Sequence, residues 1–134
     1  YLGSIGFTLP AAFGAWTATQ NKDGRFADRQ VVSVSGAGGL GQYLAELTTA
    51  VKYEMNITHV LLNNSELGKL SKEQRSGNGE VWQTSLANPD FAAYAELCGT
   101  IGIRVESEAE PALKRAIAHD ELALVEILAD AQLI

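Results

Sequence analysis

Two short groups of residues in this chain have the types and order needed to hold a phosphate. The first is the glycine-rich stretch "SGAGGLG", Ser35–Gly41, and the second is the pair Asn63-Asn64. Glycines let the backbone come close to an anion and turn its N–H groups toward it. Gly36, Gly38 and Gly41 also fit G-x-G-x-x-G between an apolar run and a helical pattern, the setting in which that spacing holds a dinucleotide pyrophosphate. A dinucleotide site further asks for an acidic residue at the end of the next strand, to take the ribose hydroxyls. Here that strand ends in Asn63-Asn64, and Glu66 falls in the loop beyond. An NAD-binding, Rossmann-type domain is therefore one reading, weakened but open. A tight turn at the glycines and an Asx turn at Asn64 are the plain structural alternatives.

Other reactive side chains carry less. His59 and His119 have no companion at metal-ligand spacing and read as surface residues. Ser33 and Ser35 are outside any G-x-S-x-G elbow. Cys98, the single cysteine, cannot form an internal disulfide, and its place at the end of an apolar helical pattern predicts a buried structural thiol. Glu46 lies off the apolar stripe of its helix, as a solvated or interface carboxylate.

The elements that must position the two phosphate groups follow from periodicity. A helix is expected over about Gly6 to Ala18, with Pro10 in its first turn and many small residues. "VVSVS" reads as a strand. After the glycines, Leu40, Tyr43, Leu44, Leu47, Ala50 and Val51 recur at helical spacing. "ITHVLL" is a second strand, and residues 65–84 form an irregular loop with a helical turn near Leu67–Glu73. Next comes a helix with Asn88 as N-cap, Pro89 at its first position and Gly99 as stop. Strand "IGIRVES", helix "EPALKRAIAHD" and strand "LALVEIL" complete the order. This alternation predicts an α/β fold, three layers αβα around a mostly parallel sheet, whose ligands sit beyond the C-terminal strand ends. Both phosphate groups fall there.

Composition narrows the partners. The chain has 134 residues, 46% of them apolar, and a formal net charge of -6. No basic cluster interrupts that charge, so nucleic acid is not expected as a partner. No apolar stretch approaches the roughly 20 residues a bilayer span needs. With one cysteine, a reducing, cytoplasmic setting is expected.

Taken together, Gly36-Ala37-Gly38, the amphipathic helix and Asn63-Asn64 resemble the signature of thiamine-diphosphate-dependent enzymes, Gly-Asp-Gly followed at a distance by Asn-Asn. The upstream "YLGSIGFTLPAAFGA" is similar to the family segment that packs on the cofactor rings, and "LANPDFAAYAELCGTIGIRVES" and "ALVEI" resemble the end of the same domain. The resemblance covers nearly the whole chain. It is nearest to the pyruvate oxidase, acetolactate synthase and 2-oxo-acid decarboxylase branch, and it implies the C-terminal, diphosphate-binding domain.

The resemblance implies roles residue by residue. Gly3 would accept a hydrogen bond from the cofactor's pyrimidine amine through its carbonyl. Ile5 would be the wedge that bends the cofactor so that this amine reaches the thiazolium carbon. Backbone N–H groups around Gly36, Gly38 and Gly39 would face the diphosphate. Magnesium would be shared by the loop aspartate, the Asn64 side chain and the Glu66 carbonyl. The chain has Ala37 in place of that aspartate, so the metal site would lose its only anionic side-chain ligand. The resemblance also implies a homo-oligomer or a separate pyrimidine-binding domain or subunit supplying an activating glutamate. Nothing in the chain matches that domain, and the expected domain's first strand is not found. The chain is thus expected to be one part of a larger enzyme, inactive alone. A non-catalytic relic or assembly module is a further reading.

Overall fold

The computed structural model describes residues 3–131; of the segment "YLGSIGFTLPAAFGA", Tyr1 and Leu2 lie outside the described residues. The elements run α1 (Thr8–Thr19), β1 (Val31–Gly36), α2 (Ala37–Leu40), a 3-10 turn (Gly41–Tyr43), α3 (Glu46–Lys52), β2 (Ile57–Asn63), α4 (Gly68–Ser76), α5 (Phe91–Leu97), β3 (Ile101–Val105), α6 (Ala109–Ile117) and β4 (Ala123–Leu128). The strands form one sheet in the order β1-β2-β4-β3, with every pairing parallel. The expected α/β fold is therefore present, with β1 at one edge.

Alternation along the strands sorts the core onto two faces. Ile57 and Leu61 of β2 and Leu124 of β4 join Leu9 and Ala12 of α1, Leu47 and Ala50 of α3, and Phe91 and Ala95 of α5 in one apolar cluster. The other face of β3 and β4 carries Ala123, Val125, Ile101 and Ile103, packed with Ala112, Leu113 and Ala116 of α6. Three layers result, with α1, α3 and α5 on one face and α6 on the other.

The structure refines three of the expected elements. The helix after the glycines is broken: α2 is a single turn, followed by the 3-10 turn and then α3. Backbone dihedrals stay right-handed helical at Leu40, Gly41, Leu44 and Ala45, so the chain keeps winding while its hydrogen bonding loosens. Three glycines in five residues, each a poor helix former, account for this. Helix α4 extends the expected turn to Ser76. Helix α5 is capped by Asp90, not Asn88: the Asp90 carboxylate accepts from the Ala93 N–H at 2.9 Å. That bond, joined by nearby Arg104, holds the Asp90 carboxyl below its ordinary pKa. Asn88 instead donates its side-chain amide to Asn63 at the end of β2.

Candidate functional site

Parallel register brings the two phosphate groups together. Gly36, the last residue of β1, is paired with Leu62, next to Asn63 at the end of β2. Adjacent strands lie about 4.8 Å apart, so the loop starting at Ala37 and the asparagine pair share one end of the sheet. Gly36 is extended (φ -86, ψ 160), and a Cβ built there would meet nothing within 4 Å. There is free room directly over the start of the loop.

Gly38 and Gly39, by contrast, are closely packed. A Cβ on Gly38 would lie 2.7 Å from Leu67 Cδ2 and 3.7 Å from Ile5 Cδ1. One on Gly39 would lie 3.4 Å from the Gly6 backbone nitrogen. The segment before α1 thus runs across the glycine loop, and Ile5 sits beside it with 55% of its surface exposed. Gly6 needs its glycine, because its φ of +92 is left-handed and a side chain would strike the Tyr43 ring. Gly3 is exposed and also left-handed, at φ +59. Leu67 and Leu86 complete an apolar collar with Ile5 around Gly38; neither stood out in the sequence, since both lie in a stretch without periodicity.

The asparagine end of β2 is a pair of consecutive Asx turns. Asn63 Oδ1 accepts from the Ser65 N–H at 3.1 Å, and Asn64 Oδ1 accepts from the Glu66 N–H at 3.2 Å. Ser65 adopts a left-handed φ of 54, which a short polar residue tolerates in a turn. Glu66 is bridged to Ser85 through the Leu67 N–H to the Thr84 carbonyl and the Leu86 N–H to the Ser65 carbonyl. That ladder leaves the Glu66 carbonyl out of its bonds. The Glu66 carboxylate is turned away to Thr84 (3.3 Å) and Arg75 (3.5 Å).

Behind the turn lies a polar network that the sequence did not reveal. Glu126 on β4 is fully buried, and its Oε1 accepts from Asn63 Nδ2 at 2.6 Å. Its Oε2 accepts from the Ala92 N–H at 3.2 Å and lies 3.6 Å from Arg104 Nη1. Arg104 also pairs with Asp90 at 3.0 Å, and Asn88 Nδ2 donates to Asn63 Oδ1 at 2.8 Å. Asn63, Asn64, Ser65, Asn88, Asp90 and Arg104 line a cavity of about 350 Å³.

Several residues read from the sequence as surface or inert behave otherwise. His59 is fully buried, bonded through Nδ1 to Ser33 Oγ (2.8 Å) and through Nε2 to Ser35 Oγ (2.9 Å). The two serines, absent from any nucleophile motif, serve here to satisfy the imidazole. Burial lowers the His59 pKa to about 4, so the ring is neutral, donating from one nitrogen and accepting on the other. Cys98 is half-buried, not buried, as the cap of α5. Glu46 and His119 are half-buried too. Among the described residues, no three His, Cys, Asp or Glu side chains cluster as a metal site, and no helix is long and apolar enough to cross a membrane.

A parallel α/β sheet with a glycine loop and an asparagine turn at the same strand ends defines a phosphate-binding domain of the cofactor-binding kind. Residues 1–127 match the model of the thiamine pyrophosphate enzyme C-terminal TPP binding domain. The chain belongs to that family. It is 36% identical over 130 residues to the putative thiamine pyrophosphate-containing protein YdaP of Bacillus subtilis (strain 168), covering 96% of this chain and 21% of that protein. It is also 36% identical over 129 residues to the catabolic acetolactate synthase of Raoultella terrigena, covering 95% of this chain and 22% of that protein. Among solved structures, the thiamine diphosphate-dependent 4-hydroxybenzoylformate decarboxylase of Rhodococcus jostii RHA1 matches with a TM-score of 0.78 and 30% identity, over 94% of this chain and 23% of that one. The chain spans about a fifth of the length of these curated relatives.

Proposed function

We propose that this chain binds the diphosphate end of thiamine diphosphate and works as one part of a larger enzyme acting on 2-oxo acids. The observation that carries the reading is the register of β1 with β2, which sets the free space over Gly36 beside Asn63-Asn64. The N–H groups of the loop at Gly36, Gly38 and Gly39 would hold phosphate oxygens. Ile5, Leu67 and Leu86, gathered around Gly38, offer apolar contact to the rings, and the Gly3 carbonyl would take the pyrimidine amine. When bound, the cofactor supplies the thiazolium carbon whose proton that amine can take. The activating glutamate would come from a pyrimidine-binding domain or subunit. Support for such a partner comes from α1, whose small residues Ala11, Gly14, Ala15 and Ala18 are exposed.

The residues fit the diphosphate better than they fit magnesium. Asn64 Oδ1 has a second lone pair beyond its Glu66 bond, and the Glu66 carbonyl is outside the local ladder. Both are neutral oxygens. Ala37 is 2% exposed and packs its methyl into the main apolar cluster, where it offers no ligand. A hard divalent cation prefers charged oxygens, so the metal would be weakly held. The buried Ala37 also favours a second reading, an assembly module that keeps the fold without the chemistry.

Calorimetric titration with thiamine diphosphate, with and without magnesium chloride, tests the proposal. The chain should bind weakly, with little response to magnesium, and should not turn over pyruvate or other 2-oxo acids by itself. Ala37 is buried in the apolar cluster, where an unpaired charge is costly, so Ala37→Asp should lower stability. With its carboxylate turned out to the site, it should strengthen binding with magnesium on the order of tenfold and weaken it without, because the carboxylate then repels the diphosphate. No thiamine-diphosphate binding by either protein would leave the assembly module. Binding of NAD by the original chain, lost in Ala37→Asp, would instead move the site to a dinucleotide.

A further inference from the structure

We propose that Glu126 is a positioning residue for the asparagine turn, holding Asn63 so that Asn64 and Glu66 are presented to the diphosphate side of the site. The inference rests on the reading above and extends it to a residue remote from the glycine loop. Asn63 and Glu126 are on adjacent strands and on the same sheet face, one diagonal step apart, since Leu61 is paired with Glu126 and Asn63 with Leu128. At 2.6 Å the contact is a short, charge-assisted hydrogen bond.

The geometry makes this bond directional. A carboxylate only accepts, so Asn63 must turn its NH2 toward Glu126 and its oxygen outward. The outward oxygen is the one that takes the Ser65 N–H (3.1 Å) and Asn88 Nδ2 (2.8 Å). It thereby supports the left-handed turn at Ser65 from which the Asn64–Glu66 Asx turn follows. Were the amide flipped, two donors would lose their acceptor together. The second carboxylate oxygen accepts the Ala92 N–H at the start of α5, tying the same turn to the helix that Asp90 caps. Burying an ion is costly unless its neighbours compensate it, and Glu126 is met by two N–H donors, Asn63 Nδ2 and Ala92 N, and by the charge of Arg104, whose Nη1 lies 3.6 Å away. A hydrophobic side chain would fill this place without orienting Asn63.

Because the bond has polarity, it can be inverted. In Glu126→Gln, the new amide can face Asn63 or Ala92 correctly, but not both. Asn63→Asp sets two carboxylates against each other. Combining the two substitutions restores the match. The amide NH2 introduced at position 126 donates to the new carboxylate at position 63, while its oxygen still accepts from Ala92. The other oxygen of that new carboxylate keeps the Ser65 and Asn88 donors.

The test uses the 134-residue chain, with thiamine diphosphate and magnesium chloride as probes. Hydrogen exchange at the Ser65 and Glu66 amides is read by NMR without cofactor, and affinity is read by titration. Each single variant should speed exchange and weaken affinity by roughly tenfold, the scale of one charged hydrogen bond. The pair Glu126→Gln with Asn63→Asp should recover both to within about twofold, a coupling only neighbours in one network show. Single variants that melt earlier yet keep Ser65 and Glu66 exchange unchanged would overturn the proposal, as would a double variant no better than either single one. If the original chain fails to bind thiamine diphosphate, the functional reading falls, while the amide exchange still decides the role of Glu126.

Discussion

His59 shows how a single side chain can be satisfied and still be costly. It is enclosed in the sheet core with Ser33 and Ser35 as partners, and burial lowers its pKa from 6.5 to about 4. In the unfolded chain the ring takes a proton below about pH 6.5, whereas the folded ring stays neutral down to about 4. The unfolded state binds more protons in that window, so stability present above pH 6.5 is lost as pH falls toward 4. At about 1.4 kcal/mol per unit, the loss should reach about 3 kcal/mol. Denaturant melts between about pH 7 and pH 4 will show it, and His59→Gln, which keeps a donor and an acceptor, should flatten that part of the slope.

Glycine spacing governs how the elements meet. Gly102 on β3 lies under α5, and a Cβ there would collide with the Ala92 carbonyl oxygen. The obstacle is backbone, which cannot rotate aside as a side chain can. Gly102→Ala should therefore push α5 from the sheet and cost at least about 2 kcal/mol, in the upper part of the range for overpacking. Since Ala92 N also binds Glu126, the same change should disturb the asparagine turn. A lowered urea midpoint with unchanged slope would identify a pure stability loss. By contrast, the break between α2 and α3 follows from local propensity, and no long-range contact is needed to explain it.

Over the whole chain, the uneven cover of the sheet predicts association. α6 covers β3 and β4 on its face, but Val32 and Val34 on β1 and Leu62 on β2 are 50%, 55% and 44% exposed. Valines at an edge strand without charge or proline are a standing risk of pairing with another chain. Val32→Lys with Val34→Lys should reduce hydrophobic-dye binding and shift sedimentation toward the monomer. Thermal stability should change little, as for exposed sites generally, about 0.5 kcal/mol or less each. Unchanged association would place the contact elsewhere, with the exposed small-residue face of α1 as the next surface to alter.

Much of this architecture was legible in the amino-acid sequence because it depends on local periodicity. The order of helices and strands, the α/β class and the location of Gly36–Gly39 and Asn63-Asn64 at strand ends all follow from patterns within a few residues. Resemblance at those same positions pointed to the family. Which side of each strand faces inward did not follow. "VVSVS" alternates, yet α1 covers the side that carries the serines, and Val32 and Val34 face out, because His59 stands in register with Ser33. The same holds for the cap of α5: both Asn88 and Asp90 are good N-cap types, and only the pull of Asn63 on Asn88 separates them. The bonds that order the sheet core and the site join residues 26 and 63 positions apart. Such pairs are made by strand register, and register exists only once the sheet has formed.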